Sequence, residues 1–295
     1  MFSIGLVAVI IISLFRTQKY ISAAVHLGKA EKAMEQKRFE TAQKELEQVL
    51  EKFPDDVTTN ADMIIASSFN MDIESVKTAY YKIADKKIED ADFFKRIESS
   101  ITYATSYAPS DTVMVKKIDE VKNDREKLLA LYKTSDTAQA IIKLYIANQL
   151  FELKDYASVE MISKDVLSIN PEFHTALSLM SAAKRNTGKY DEALEYCDRM
   201  LDVNKEDIYA ISQKARIELK RKHDKQAATY AREAMYINPD SDSALEAMIM
   251  VDHFTGRKKE SRANFATLKT HAYSSGDSTI LNRVSAIISG SEVYR

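Results

Sequence analysis

A 34-residue step runs through the middle of this chain and constrains its fold more than any other feature. Anchored on Gly188-Lys189-Tyr190, one unit covers residues 174–207, and residues 208–241 repeat its pattern. Ala193 becomes Ala227, Tyr196 becomes Tyr230 and Val203 becomes Ile237. One step back, the unit from Ala140 carries Ile146-Ala147, Lys154-Asp155-Tyr156, Val159 and Asn170-Pro171. One step forward, Met248, Gly256-Arg257-Lys258, Ser261, Phe265 and Leu268 hold the same places. A fixed step of this length means one supersecondary unit stacked several times, because a single unit cannot bury its apolar face alone.

Only 4 prolines and 6 glycines occur in 295 residues, against the usual ~5% and ~7%. A chain so poor in turn formers and rich in Ala, Glu, Lys and Leu is all-α. Its net charge of −2 is too balanced for a nucleic-acid binder. Cys197 is the single cysteine, which excludes an internal disulfide and leaves the redox compartment open.

The units resemble tetratricopeptide repeats most strongly over residues 140–241. In that family small residues sit where the two helices of a hairpin cross. Ala147, Ser181 and Ala215 take that place in the first helices, and Val159, Ala193 and Ala227 in the second. Asn170-Pro171 and Asn238-Pro239 close second helices, since proline cannot continue one, whereas Asn204-Lys205 keeps the place without the proline. The resemblance implies a right-handed α-solenoid of about seven helical hairpins.

Toward the N-terminus the reading is less regular. Residues 23–54 form a further unit, but Pro54 to Pro109 and Pro109 to Pro171 are not multiples of the step. Asp72, Asp90, Ser110 or Asp111, and Ser135 or Asp136 suit N-caps. The simplest parity is hairpins at 22–52, 57–86, 91–133, 137–168, 172–203, 207–236 and 241–270; a competing register pairs 73–88 with 91–107. Ile280, Leu281, Val284, Ile287 and Ile288 then share one helix face, as a capping helix at an array end requires. The expected organisation is an N-terminal segment over 1–20, irregular hairpins over 21–136, regular repeats over 137–275, and a capping helix and tail over 276–295.

Residues 2–15 are apolar apart from Ser3, Gly5 and Ser13. A helix of that length spans only ~21 Å, short of a bilayer core. Arg16 and Lys19 can snorkel, however, and Tyr20 suits the membrane interface. The expectation is a single-pass, non-cleaved anchor helix with the repeats on the cytoplasmic side, since the basic residues follow the apolar run. A cleaved signal with an exported domain is the alternative.

No constellation of catalytic residue types emerges. The glycines are too scattered for a phosphate loop, the five histidines show no i,i+3 or i,i+4 pairing, and Cys197 takes an inward place. The expectation is no enzyme, no cofactor, no metal and no small-molecule substrate. The basic runs Lys220-Arg221-Lys222-His223 and Arg257-Lys258-Lys259 fall at turns within hairpins, where cations complement the dipole of the preceding helix.

In proteins of this family the first helices line a concave groove that holds an extended peptide or a partner helix. Carried onto this chain, the groove places include Asn148, Ser178, Arg185, Asn186, Tyr209, Ser212, Arg216 and Lys220, with Glu246, Met250 and His253 beyond. Arg185, Arg216 and Lys220 give the middle a positive lining, suited to an acidic segment because arginine offers a planar fork to carboxylates. Some members clamp a chain-end carboxylate with a Lys/Asn/Arg set; Leu144, Leu179, Tyr209 and Gln213 replace all of it but Asn148. The expected function is a membrane-tethered scaffold or adaptor for protein partners. The alternative is a receptor-like binder of extended or acidic peptides.

Overall fold

Six times among the described residues the backbone makes the same turn, and those turns build the hairpins. Lys37, Met71, Lys154, Gly188, Lys222 and Gly256 all adopt the left-handed conformation, with φ between 57° and 83°. After each one, the next N–H reaches back to the carbonyl five residues earlier: Arg38 to Ala33, Asp72 to Ser67, Asp155 to Leu150, Lys189 to Lys184, His223 to Glu218 and Arg257 to Asp252, at 2.8–2.9 Å. This closes the first helix of a hairpin by satisfying its last carbonyls and sends the chain straight into the second. Glycine adopts that conformation freely; a lysine or methionine there costs about 1 kcal/mol or more.

The computed structural model describes residues 2–86, 88, 90–105, 111–135, 139–276, 278–291 and 294, with side chains given for all of these except 2–16 and 102–105. The chain divides into two compact units, Met1–Thr105 and Ser106–Arg295.

In the N-terminal unit, α1 (Phe2–Glu35) pairs with α2 (Phe39–Leu50), α3 (Val57–Phe69) pairs with α4 (Ile73–Ile83), and α5 (Ala91–Thr105) packs on α3. Ala30, Ala42, Leu46, Ala61, Ile64 and Ala66 are fully enclosed in its core. The 34-residue step holds here too, since α2 and α4 begin at Phe39 and Ile73 and their turns at Lys37 and Met71. The sequence reading, tied to prolines, loses it at Pro54; the turns keep it.

The expected membrane anchor is corrected. Among the described residues no helix is long and apolar enough to cross a membrane. The helix that starts at Phe2 continues unbroken to Glu35 and serves as the first helix of the first hairpin. Lys19 and Tyr20, expected at a headgroup interface, pack on Phe53 instead: the ammonium lies 4.5 Å above the ring and the two rings are 5.0 Å apart. Arg16 is among the residues whose side chains lie outside the description. The single-pass topology and cytoplasmic placement built on that anchor therefore fall.

The C-terminal unit begins with two short helices, α6 (Thr112–Glu120) and α7 (Arg125–Thr134), that pack on α8 (Ala140–Glu152). Residues 91–133 are thus not one hairpin, because α5 belongs to the N-terminal unit and α6 and α7 to the C-terminal one. Asp72, Asp90 and Asp111 do accept first-turn N–H groups, whereas Ser135 closes α7 rather than opening a helix; Ser110 and Asp136 lie outside the described residues.

From α8 the step is strict. First helices start at Ala140, His174, Ile208 and Asp242 (α8, α10, α12, α14), and second helices at Tyr156, Tyr190, Asp224 and Lys258 (α9, α11, α13, α15). Each second helix packs on its own first helix, and α9, α11 and α13 also pack on the first helix that follows. The first helices also touch one another directly, α8 to α10, α10 to α12 and α12 to α14, which puts their row on the inner side of the stack. Ala147, Ser181, Ala215, Val159, Ala193 and Ala227, the small residues at the crossings, are all 0% exposed. Asn170, Asn204 and Asn238 each accept the N–H two residues on, from Glu172, Glu206 and Asp240, at 3.0–3.1 Å. That side-chain turn, not the proline, ends the second helices, so Lys205 substitutes for proline without changing the path.

A final helix, α16 (Thr279–Ile288), lies against α14 and α15 and buries Val284 and Ile287. The all-helical, hairpin-stacked architecture expected from the sequence is present in this unit.

Candidate partner-binding groove

The row of first helices buries charge. Arg185 on α10, Arg216 on α12 and Glu246 on α14 lie on successive first helices, each about one helical turn short of a full step from the last, and are all at least nine-tenths buried. Arg216 Nη1 meets Glu246 Oε2 at 2.7 Å. From α16, Arg283 adds a bidentate pair to the same carboxylate, Nε to Oε1 and Nη2 to Oε2, both at 2.8 Å. Burial alone would raise the pKa of Glu246; Arg216 and then Arg283 overcome it and bring the carboxyl down to about 2. Burial works against the charge of Arg283 as well, and Glu246 more than restores it.

Arg185 is placed differently. It donates from Nη1 to the amide oxygen of Gln213, and Gln213 passes its own Nε2–H to the hydroxyl of Tyr209 at 2.6 Å. Burial, and then the neighbouring Arg216, push its guanidinium below the usual range. An arginine does not give up its proton in a protein, so that direction marks a charge held at a cost. Nε of Arg185 and Nε of Arg216 are buried with no acceptor. Two guanidiniums share the Glu246 carboxylate and the third, Arg185, meets none among the described residues, so the face is short of negative charge.

The expected groove residues separate into two groups. Arg185, Tyr209, Arg216 and Lys220 belong to this cluster, Lys220 through its ammonium 4.5 Å above the ring of Tyr294. Ser212 is buried in the same row with its hydroxyl unpaired. Ser178 turns its hydroxyl to the carbonyl of Thr175 at 3.0 Å, Asn148 is exposed on α8, and Asn186 is half-buried at the end of α10. Sequence reading missed two members. Arg283 lies on what reads as the wet face of the capping helix, and Tyr294 follows that helix in a stretch with no periodicity. Neither carries a local signal, because their partners are 37 and 78 residues away.

The two basic runs are engaged by carboxylates, one of them on the preceding hairpin. Arg221 meets Asp191 at 3.0 Å, His223 meets Glu218 at 2.7 Å, and Arg257 meets the fully buried Asp252 at 2.6 Å. Cys197 is enclosed, and burial pushes its thiol up to about 12, with the Ser181 hydroxyl opposing. It is held as a thiol and packs as a small apolar residue.

No family model matches the sequence, and no curated protein matches it. Among solved structures, the chain is similar to Pseudomonas aeruginosa pilF, with 12% identity, 91% of this chain and 99% of that one covered, and a TM-score of 0.36. It is similar to yeast Tom70 at 13% identity, with 84% and 58% covered and a TM-score of 0.40. The P58(IPK) TPR domain aligns at 9% identity, with 92% and 90% covered and a TM-score of 0.33. The architecture described above rests on this chain's own 34-residue step.

Proposed function

We propose that the C-terminal unit is a protein-interaction module that holds an extended, acidic segment of a partner protein along its row of first helices. The observation that carries this reading is Arg185: a buried cation bonded to a neutral amide, beside a second arginine, with a buried N–H lacking an acceptor. A carboxylate brought to it would relieve a charge that burial disfavours, and a planar guanidinium discriminates carboxylates by geometry. The reading assigns binding, not catalysis, and calls for no cofactor. A scaffold for protein partners is the general form of this function; the acidic segment is its specific form.

Selection of extended peptides on the purified full chain tests it. Enriched sequences should carry Asp or Glu, and their binding should weaken as salt rises. Arg185→Met should weaken them about tenfold or more, since a charged hydrogen-bonded contact is worth about 1.5–3 kcal/mol, while the melting temperature holds or rises. Peptides without acidic bias, or equal binding by the variant, would sink the proposal. Arg216 is unsuitable for this test, because removing it leaves Glu246 buried beside a single arginine.

A further inference from the structure

The groove already contains an aromatic residue of its own chain. Tyr294, six residues beyond the end of α16, lies against the first helices of two successive hairpins. Its ring stacks on Phe254 of α14 with centroids 5.7 Å apart and planes 23° apart. The ammonium of Lys220, on α12, sits 4.5 Å above it. Its hydroxyl donates to the backbone carbonyl of Arg216 at 3.2 Å. Ala215, Leu219, Ala247, Met250 and Val251 form the apolar cluster behind it. Together these make a site with an aromatic wall, a cation and a hydrogen-bond acceptor at its base, the three features that recognise a phenol.

We infer that Tyr294 is a built-in occupant of the groove, and that a partner engages by displacing it with an aromatic side chain of its own. The inference rests on the groove reading above and adds the residue type of the partner and the regulation of the site. The displaced segment reads Glu292-Val293-Tyr294 in sequence, an acidic residue two places before the aromatic one. A partner segment of the kind proposed above would share this composition, an acidic residue near an aromatic one. A tether of a few residues gives such an occupant an effective concentration on the order of millimolar. A partner segment binds only when its own affinity exceeds that competition, so weak acidic segments are refused.

The test uses a labelled peptide of residues 289–295 added to three proteins: the full chain, the chain ending at Ser291, and the full chain with Tyr294→Ala. The shortened chain and the Tyr294→Ala chain should both bind it, and the full chain about tenfold more weakly or worse. A peptide carrying alanine in place of the tyrosine should lose binding to all three. Equal binding by full and shortened chains overturns the inference, as does undiminished binding of the alanine peptide. The Tyr294→Ala chain, complete in length, keeps the outcome readable where shortening disturbs the fold. If the acidic peptides selected above bind the full and shortened chains equally, the inference fails and the groove reading stands. If the residue 289–295 peptide binds the shortened chain while acidic selection fails, the groove reading fails and the occupant remains.

Discussion

The two units use one hairpin and fill it with different chemistry. Both turn through a left-handed residue 34 positions apart, and both close the first helix with the same pair of backbone hydrogen bonds. In the N-terminal unit the buried polar residues among those described are Gln43, Thr59, Asn60, Ser67, Ser68 and Ser100, none of them charged. The C-terminal unit buries Lys143, His174, Lys184, Arg185, Glu206, Asp207, Arg216, Glu218, Glu246 and Asp252. These hairpins therefore stack without a buried charge among the described residues of the N-terminal unit, though Gln43 does bond to Asp72 and Asn70 across helices. Much of the buried charge in the second unit is paired with another side chain of the unit, as Lys143 is with Asp165, Lys184 with Glu160 and Arg216 with Glu246. Arg185 has no carboxylate among its described hydrogen-bond and ion-pair partners, and the binding proposal rests on it.

The hardest way to break the contrast is to strip the charge cluster of its one carboxylate. Glu246→Gln leaves Arg216 and Arg283 facing an amide, and uncompensated buried charge costs about 3–5 kcal/mol. Hydrogen exchange read separately on peptides from each unit should show that loss within Ser106–Arg295. An equal loss within Met1–Thr105 would erase the distinction between the units.

Acid should move the two units in opposite directions. Burial pushes Asp62 in the N-terminal unit up to about 6, against the pull of Arg96. Its charge therefore costs stability above pH 6, and the cost is gone below the ordinary value of 3.8. Glu246, held at about 2, contributes stability above 4.5 that is lost as pH falls through 2. Lowering the pH from about 7 to about 5 should thus stabilise the N-terminal unit and leave Glu246's contribution intact. Asp62→Asn should abolish that rise, worth about 1–2 kcal/mol for a partly exposed group. A rise that survives Asp62→Asn assigns it to another residue and removes this difference between the units.

The smallest effect concerns what the units share. Lys222→Gly and Met71→Gly, one in each unit, should each stabilise by about 0.5–1 kcal/mol, because glycine accepts the left-handed turn without the Cβ penalty. Gly188→Ala should cost about 1 kcal/mol; a Cβ at Gly188 meets no atom within 4 Å, so the cost is conformational alone. Chemical denaturation measures all three. Opposite signs at Met71 and Lys222 would show that the turns are not one device.

How far the sequence could be read follows from which signals are local. The helix starts from Ala140 to Lys258 are legible because small residues at the crossings and Asn at the ends recur within each step. The turns at Lys154, Lys222 and Met71 are not, since nothing in a lysine or methionine announces a left-handed backbone; only their phase with Gly188 and Gly256 does. Prolines at 54, 109 and 171 mislead, because Asn170, Asn204 and Asn238 end the second helices and proline is incidental. The apolar run at residues 2–15 reads as an anchor by composition, whereas Lys19 and Tyr20 reveal their use only by meeting Phe53, more than thirty residues on. In the charge cluster on the first helices, the places of Arg185, Arg216 and Lys220 follow from phase with the repeats. Arg283 and Tyr294 come from outside the repeats, so no phase points to them.

The position four residues before the turns at Gly188, Lys222 and Gly256 carries a further consequence. It holds Lys184, Glu218 and Asp252, one step apart, all buried and changing sign after the first. Lys184 meets Glu160 of the preceding hairpin at 2.8 Å and Glu192 of its own at 2.7 Å. A gene slip that deleted residues 184–217 would keep every helix in phase, yet it would press Glu218 against Glu160. Arrays of near-identical steps are prone to gain or lose a copy; here the sign of one buried charge marks the Lys184 hairpin off from the two that follow, so that copy cannot be exchanged silently.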